Sequence, residues 1–193
     1  CVGLVDEDNL INGKKVSEND LIIALKSNGI HSNGFSLVRK IIQNNDQIDK
    51  QFEKVNNLNF YDELLKPTQI YNNVISQILS ENIEIKAMSH ITGGGIPENL
   101  PRCISSNFIP YIDTKSWDIP ILFRFLKEVG MIPEKDYWNT FNLGVGFCLI
   151  IDKQFKNAII NICDAHNIHS WEIGKIVEKD NSVNNRFLPE ILT

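Results

Sequence analysis

Two glycine-bearing loops hold the groups of this chain best suited to chemistry. Thr92-Gly93-Gly94-Gly95-Ile96-Pro97-Glu98-Asn99 sets three consecutive glycines after an apolar segment, Ile83 to Ile91, and ahead of a proline that can open a helix. Glycine has no Cβ, so a ligand can approach the main chain closely and φ can turn positive. N–H groups at the start of a helix, at the positive end of its dipole, suit a phosphate or a carboxylate. Ser27-Asn28-Gly29-Ile30-His31-Ser32-Asn33-Gly34 repeats the arrangement, with a strand leading in and a helix leading out. Ser32 and Asn33 offer cap oxygens or ligand contacts, and Gly29 and Gly34 relieve tight turns. The pKa of an imidazole lets His31 act as acid, base or phosphate donor. A third loop, Asn142-Leu143-Gly144-Val145-Gly146, precedes a strand. Each loop has an architectural alternative. These are a bare turn at Gly93 to Gly95, a capped helix with a half-buried histidine at His31, and a bulge or close packing at Gly144 and Gly146.

The elements that position these loops follow from apolar periodicity. Strands are expected at 2–5, 20–26, 83–89, 107–112, 145–151 and 171–177. The nearly continuous apolar run at 145–151 suits a strand covered on both faces. Helices are expected at 34–44 behind an Asn33 cap, from Pro67 to about residue 80, and at 118–129, 133–140 and 153–167. Short helical turns fall at about 60–65. The asparagine-rich stretch 45–58 reads as a surface connection. The alternation predicts an α/β fold, a mixed β-sheet packed with helices, in which ferredoxin-like crossing of strands and helices is possible. A strand at residue 1 with no initiator methionine suggests a fragment of a longer protein.

Composition narrows the function class. The 193 residues suit one domain with its own core. A net charge of −5 argues against broad nucleic-acid binding but leaves room for a local phosphate site. No stretch has the length of a membrane span. Cys1, Cys103, Cys148 and Cys163 form no Cys-x-x-Cys pair and read as free thiols of a reducing, cytoplasmic compartment. His166 and His169 lack cysteine or acidic partners and read as an exposed helix end, so no metal site is expected. Arg39 and Arg102, downstream of the two loops, could pair with a phosphate or form helix-surface salt bridges. No G-x-x-x-x-G-K-[ST], H-E-x-x-H or G-x-S-x-G motif occurs. These residues alone indicate an α/β domain fit to bind a small anionic ligand.

Taken jointly, the loops resemble one family. Residues 29–40, Gly-Ile-His-Ser-Asn-Gly-Phe-Ser-Leu-Val-Arg-Lys, resemble the G-x-H-S-N-G-[YF]-S-L-[VI]-R segment of the aminoimidazole ribonucleotide synthetases, also called phosphoribosylformylglycinamidine cyclo-ligases. Residues 90–102, His-Ile-Thr-Gly-Gly-Gly-Ile-Pro-Glu-Asn-Leu-Pro-Arg, resemble that family's H-[IL]-T-G-G-G-x-x-E-N-[IL]-P-R. Ser116-Trp117 with Pro120, Thr140 to Gly146, and Trp171-Glu172-Ile173-Gly174 match its later signatures in order and spacing. Phe147 replaces a common methionine, and the tail from Asp180 to Thr193 carries no family motif.

The resemblance covers residues 1 to about 178 and implies the C-terminal α/β domain of that superfamily, followed by a tail at 179–193. It implies ATP-dependent ring closure of formylglycinamidine ribonucleotide in purine biosynthesis. There the formamide oxygen is activated by phosphorylation, an internal nitrogen attacks and phosphate leaves. ATP and Mg2+ would be held mainly by an N-terminal domain that also forms a homodimer, because the family's acidic D-G-V-G-T-K segment is absent here. The fragment alone would then be inactive, and no nucleic-acid or membrane partner is implied. The residues carried over are His31 as catalytic group, and Ser32, Asn33, Gly34, Thr92, Gly93, Gly94, Gly95 and Asn142 as substrate or phosphate contacts. Two alternatives stand beside this one: a non-catalytic binding or interaction module, and another ATP-dependent enzyme of the superfamily, of the selenide-water dikinase or hydrogenase maturation type.

Overall fold

The computed structural model describes residues 2–179. Its two central strands, β1 (Leu21–Lys26) and β4 (Val145–Ile151), are apolar on both faces. Successive side chains of a strand point to opposite sides. Accordingly Ile22 and Ala24 join one buried cluster while Ile23 and Leu25 join another. Cys148 and Ile150 divide from Leu149 and Ile151 in the same way. Such strands need neighbours and a covering layer on both sides. Flanking them are β2 (Ile85–His90), β5 (Ser170–Glu178) and β3 (Phe108–Ile112), giving the order β2-β4-β1-β5-β3.

Helices cover both faces, as the expected α/β class requires. On one side lie α1 (Phe35–Gln43), α2 (Ile48–Asn56), α3 (Phe60–Leu64), α5 (Gly95–Asn99), α6 (Ile121–Val129) and α7 (Glu134–Thr140). On the other lie α4 (Asn72–Ser80) and α8 (Lys156–Ala165). The sheet itself is not mixed. All four strand pairings are antiparallel. It follows that β1, β2 and β3 run one way and β4 and β5 the other. The helical connections from β1 to β2 and from β4 to β5 therefore join strands of like direction with an opposed strand between them, β4 in the first case and β1 in the second, while α6 and α7 join the opposed strands β3 and β4. Crossing connections are thus present without a parallel neighbour.

This topology gathers the motif loops at one end of the sheet. The segments leaving β1, β2 and β3 emerge where the segments entering β4 and β5 arrive. Lys26 N–H bonds to His169 O at 2.9 Å, Ser27 N–H to Gly144 O at 2.9 Å, and Ile91 N–H to Gly146 O at 3.0 Å, stitching these loops together.

Four local expectations need correction. Residues 2–5 form no strand: they pair with neither free edge of the sheet, β2 or β3, and Val2 and Leu4 stand fully exposed, so no packing supports a strand there. The stretch 45–58 contains α2, whose inward face is only Ile48 and Phe52, four residues apart among polar neighbours, so its period is barely visible. The helix expected from Pro67 begins only at Asn72. The polar groups of 67–71 are engaged elsewhere: Pro67 O accepts from Asn28 Nδ2, the Gln69 N–H donates to His31 Nε2 and Tyr71 Oη donates to Lys26 O. At α1 the cap is Gly34 in the left-handed region, φ 78°, and Asn33 makes no cap bond. The tail beyond Lys179 lies outside the described residues. Among them Cys103, Cys148 and Cys163 are free thiols, and no helix is long and apolar enough to cross a membrane.

Phe52 is wholly buried, with ring centroids 5.6 Å from Phe60 and 4.9 Å from Phe125. If α2 is core and not a connection, Phe52→Ala costs about 3–5 kcal/mol. Urea unfolding should show the midpoint dropping with the slope retained, whereas a loss under about 1 kcal/mol would contradict this packing.

Candidate functional site

The His31 loop is wound tightly. Gly29 (φ 80°), His31 (φ 55°) and Gly34 (φ 78°) all occupy the left-handed region, where a histidine is strained. Buried hydrogen bonds hold the winding. Asn142, fully buried, accepts from Ser27 Oγ (2.9 Å) and Gly144 N–H (2.9 Å) and donates through Nδ2 to Gly29 O (3.0 Å). His31 Nε2 accepts from the main-chain N–H of Asn28 (3.0 Å) and of Gln69 (3.3 Å). Asn28 Nδ2 donates to Pro67 O at 3.0 Å. The extended segment before α4 is therefore spent on fastening this loop.

Gly146 makes room for the imidazole. A Cβ there would lie 1.9 Å from Tyr71 Oη and 2.8 Å from His31 Cε1. Tyr71 uses that gap to donate its hydroxyl to Lys26 O at 2.8 Å. His90, at the end of β2, lies with its ring 6.3 Å from His31 and stacks on Phe147 at 5.9 Å. Burial, reinforced by His90, pushes the His31 pKa down to about 4. Burial also holds His90 below the ordinary histidine range and Tyr71 above the ordinary tyrosine range.

The glycine loop is tied from within by Asn99. Its Nδ2 donates to Gly95 O (2.8 Å), Gly93 O (3.1 Å) and Thr92 O (3.3 Å), and its Oδ1 accepts from Thr92 Oγ1 (3.0 Å). Gly95, φ 59°, presses on α7: a Cβ would sit 1.9 Å from Trp138 O. By contrast Gly93 is exposed, and the nearest atom to a Cβ there is Asn33 Oδ1 at 3.9 Å. The two loops thus face each other across Gly93 and Asn33. Among the described residues the N–H groups of Gly93 and Gly94 donate to no internal acceptor. An open depression of about 620 Å³ at the start of α1 is lined by Ser32, Gly34, Ser36, Arg39 and Thr140.

The structure therefore brings His31, Ser32, Asn33, Gly34, Thr92, Gly93, Gly94 and Gly95 to one place. Asn142 lies beneath them with both ends of its amide engaged, which suits setting the loops better than touching a ligand. The helix beyond the glycines is a single turn of five residues with Pro97 at its third position. Free peptide N–H groups, more than a helix dipole, are what this loop offers an anion. Arg102 is paired with Glu98 at 3.1 Å, and Arg39 lies over the Phe35 ring at 5.8 Å. Sequence reasoning gave no role to Ser27, Gln69, Tyr71 or His90, whereas the close packing it weighed at Gly146 is present. Ser27 and His90 fell inside segments already singled out, and Gln69 acts through its main chain, which no side-chain motif reveals. No group of three or more histidine, cysteine or acidic residues that could hold a metal occurs among the described residues.

The family described as "AIR synthase related protein, C-terminal domain" matches residues 17–184. A phosphoribosylformylglycinamidine cyclo-ligase of Prochlorococcus marinus (strain MIT 9312) is 82% identical over the whole chain, which spans 56% of that protein. One of Synechococcus sp. (strain CC9902) is 41% identical over 178 residues, 92% of this chain and 52% of its own. The chain thus spans about half the length of the curated relatives it matches. Among solved structures, the hydrogenase maturation protein HypE aligns with a TM-score of 0.59 at 14% identity, covering 94% of this chain and 51% of that one. Thermotoga maritima PurL complexed with AMPPCP aligns with a TM-score of 0.54 at 9% identity, covering 90% and 24%. These two likenesses concern the fold.

Two expectations follow from the geometry. Gly95→Ala must move the α7 main chain and costs about 2 kcal/mol or more, while Gly93→Ala stays within about 0.5 kcal/mol. Equal unfolding midpoints for the two variants would refute the assignment. The second concerns pH. The folded state keeps His31 neutral down to about pH 4, whereas the unfolded chain takes the proton at 6.5. Its contribution is therefore complete above about pH 6.5 and fades by about 3 kcal/mol as pH falls to about 4. His31→Gln, whose amide oxygen can replace Nε2 as acceptor, should lose less stability than the parent on going from pH 7 to about pH 4.5 in urea titrations. Parallel losses would contradict it.

Proposed function

Because this chain belongs to the AIR synthase related protein family through its C-terminal domain, we propose that it forms the C-terminal half of a cytoplasmic, ATP-dependent cyclo-ligase. The substrate is formylglycinamidine ribonucleotide and the product aminoimidazole ribonucleotide. The observation that carries this reading is the 82% identity, over every residue of the chain, to a protein of that name.

In this reading the free N–H groups of Gly93 and Gly94 hold a phosphate of the ribotide or of ATP, with Thr92 and Gly95 setting the loop. Ser32, Asn33 and Gly34 close the other side. His31 is the polar group behind them, a donor or an acid–base partner that positions charge and forms no covalent bond with the substrate. Asn142 fastens the His31 loop to the loop that enters β4. ATP, when bound, supplies the phosphoryl group that turns the formamide oxygen into a leaving group. What this chain contributes is orientation: holding the phosphate end fixed converts the attack of an internal nitrogen into a well-aligned step. The donor set of the described residues suits the phosphates but not a magnesium ion, so no step is assigned here to the metal. The remaining ATP contacts and the homodimer contact are assigned to the rest of the protein, and residues 1–193 alone are expected to be inactive.

The intact gene should restore growth on purine-free medium to a bacterium lacking its own cyclo-ligase. Failure of a soluble, expressed protein to do so would sink the reading. In the same protein Gly93→Asp places a carboxylate where the phosphate binds. It should raise the KM for ribotide or ATP by about tenfold or more while the unfolding midpoint holds. Unchanged constants for both substrates would remove the phosphate-loop assignment alone.

A further inference from the structure

Building on that assignment of His31 to the site, we propose that the segment Pro67 to Tyr71 is a positioning strap. It holds His31 as a neutral imidazole with its proton on Nδ1, and so makes it a hydrogen-bond donor to an anionic oxygen, not a base or a cation.

The argument starts from the two donors on Nε2. A ring nitrogen that accepts an N–H carries no proton of its own. Water, hydroxyls and side-chain amides can turn and exchange roles, which is why histidine tautomers are so often ambiguous. Here both donors are main-chain N–H groups, of Asn28 at 3.0 Å and Gln69 at 3.3 Å, and neither can become an acceptor. The single lone pair of the neutral ring is therefore occupied, and the proton resides on Nδ1. Protonating Nε2 would set one N–H against two others.

The surroundings offer an imidazolium nothing in return. The ring is faced by His90 from β2, by Tyr71 from the strap and by Gly146 from β4. Among the described residues no carboxylate bonds to it. The nearby carbonyl of Lys26 is taken by the Tyr71 hydroxyl. Nδ1 is buried and has no internal partner. A buried donor left unpaired is costly, and each such group calls for an explanation. An acceptor arriving with the ligand would supply the missing partner.

The strap is what sets the second donor. It is pinned at one end by Asn28 Nδ2 on Pro67 O and at the other by Tyr71 Oη on Lys26 O, with the Gln69 amide between. The Tyr71 anchor exists only because residue 146 has no Cβ. Gln69 and Tyr71 are accordingly positioning residues that act through His31. A general base would need a lone pair aimed at substrate, and this ring has none to spare.

The test is a long-range 1H–15N correlation spectrum of the intact protein labelled at histidine, with His31 assigned by its loss in His31→Gln. Nδ1 is expected in the protonated range and Nε2 in the unprotonated range, unchanged from about pH 8 to about pH 5.5. An Nε2-protonated ring, or titration near the ordinary histidine value, overturns the proposal. Tyr71→Phe frees one end of the strap and should mix the tautomers or raise the titration midpoint. A spectrum identical to the parent's overturns the strap. None of these readings needs substrate, so they are independent of the ring-closure assignment. Full turnover in His31→Gln alongside the expected spectrum overturns the donor role specifically.

Discussion

The site depends on one buried amide. Asn142 joins its own loop to the His31 loop, more than a hundred residues away in the chain, and it does so with no exposure to water, where each of its bonds is hard to exchange. Loops packed against one another carry main-chain groups that a core cannot leave unpaired. Asn142, Asn99 and His31 answer that requirement in the same manner, each turning a side chain inward to serve the main chain of a loop. What is left outward is a set of groups with no internal partner, chiefly the N–H groups of Gly93 and Gly94. The chemistry of the surface is thus set by which polar groups the interior has already used.

Topology explains why these loops meet at all. Interleaving like-directed strands with opposed ones brings the exits of β1, β2 and β3 and the entrances of β4 and β5 to a common end. Glycine then sets how closely they approach. Gly95 lets α5 touch α7, and Gly146 lets two aromatic side chains cross over β4. At neither position is the glycine there for flexibility.

Much of this was legible in the sequence. Ile22 to Leu25 and Val145 to Ile151 announce strands buried on both faces, and the glycine loops with their flanking motifs mark the site end. The direction of neighbouring strands was not legible, because a strand–helix–strand pattern reads alike whether or not a third strand lies between. Helix α2 was hidden by having only Ile48 and Phe52 inward. The segment 67–71 looked helical because Ile70 fits the period of α4. Ile70 is in fact largely exposed, and its neighbours Gln69 and Tyr71 serve the His31 loop. For Asn142 an asparagine in a glycine loop reads equally as ligand contact or as clamp, and only its burial and engaged amide favour the clamp.

The central position of β1 also bears on how the chain reaches this form. The first strand made pairs only with β4 and β5, the last two. Long-range closure of this kind is entropically slow and leaves hydrophobic edges open in the meantime. Ile22 to Leu25 must wait through synthesis of nearly the whole domain before either edge is covered. The His31 loop, whose fastening needs residues 142–146, takes its shape only when the sheet closes. Competence of the site and completion of folding are, for this domain, a single late event.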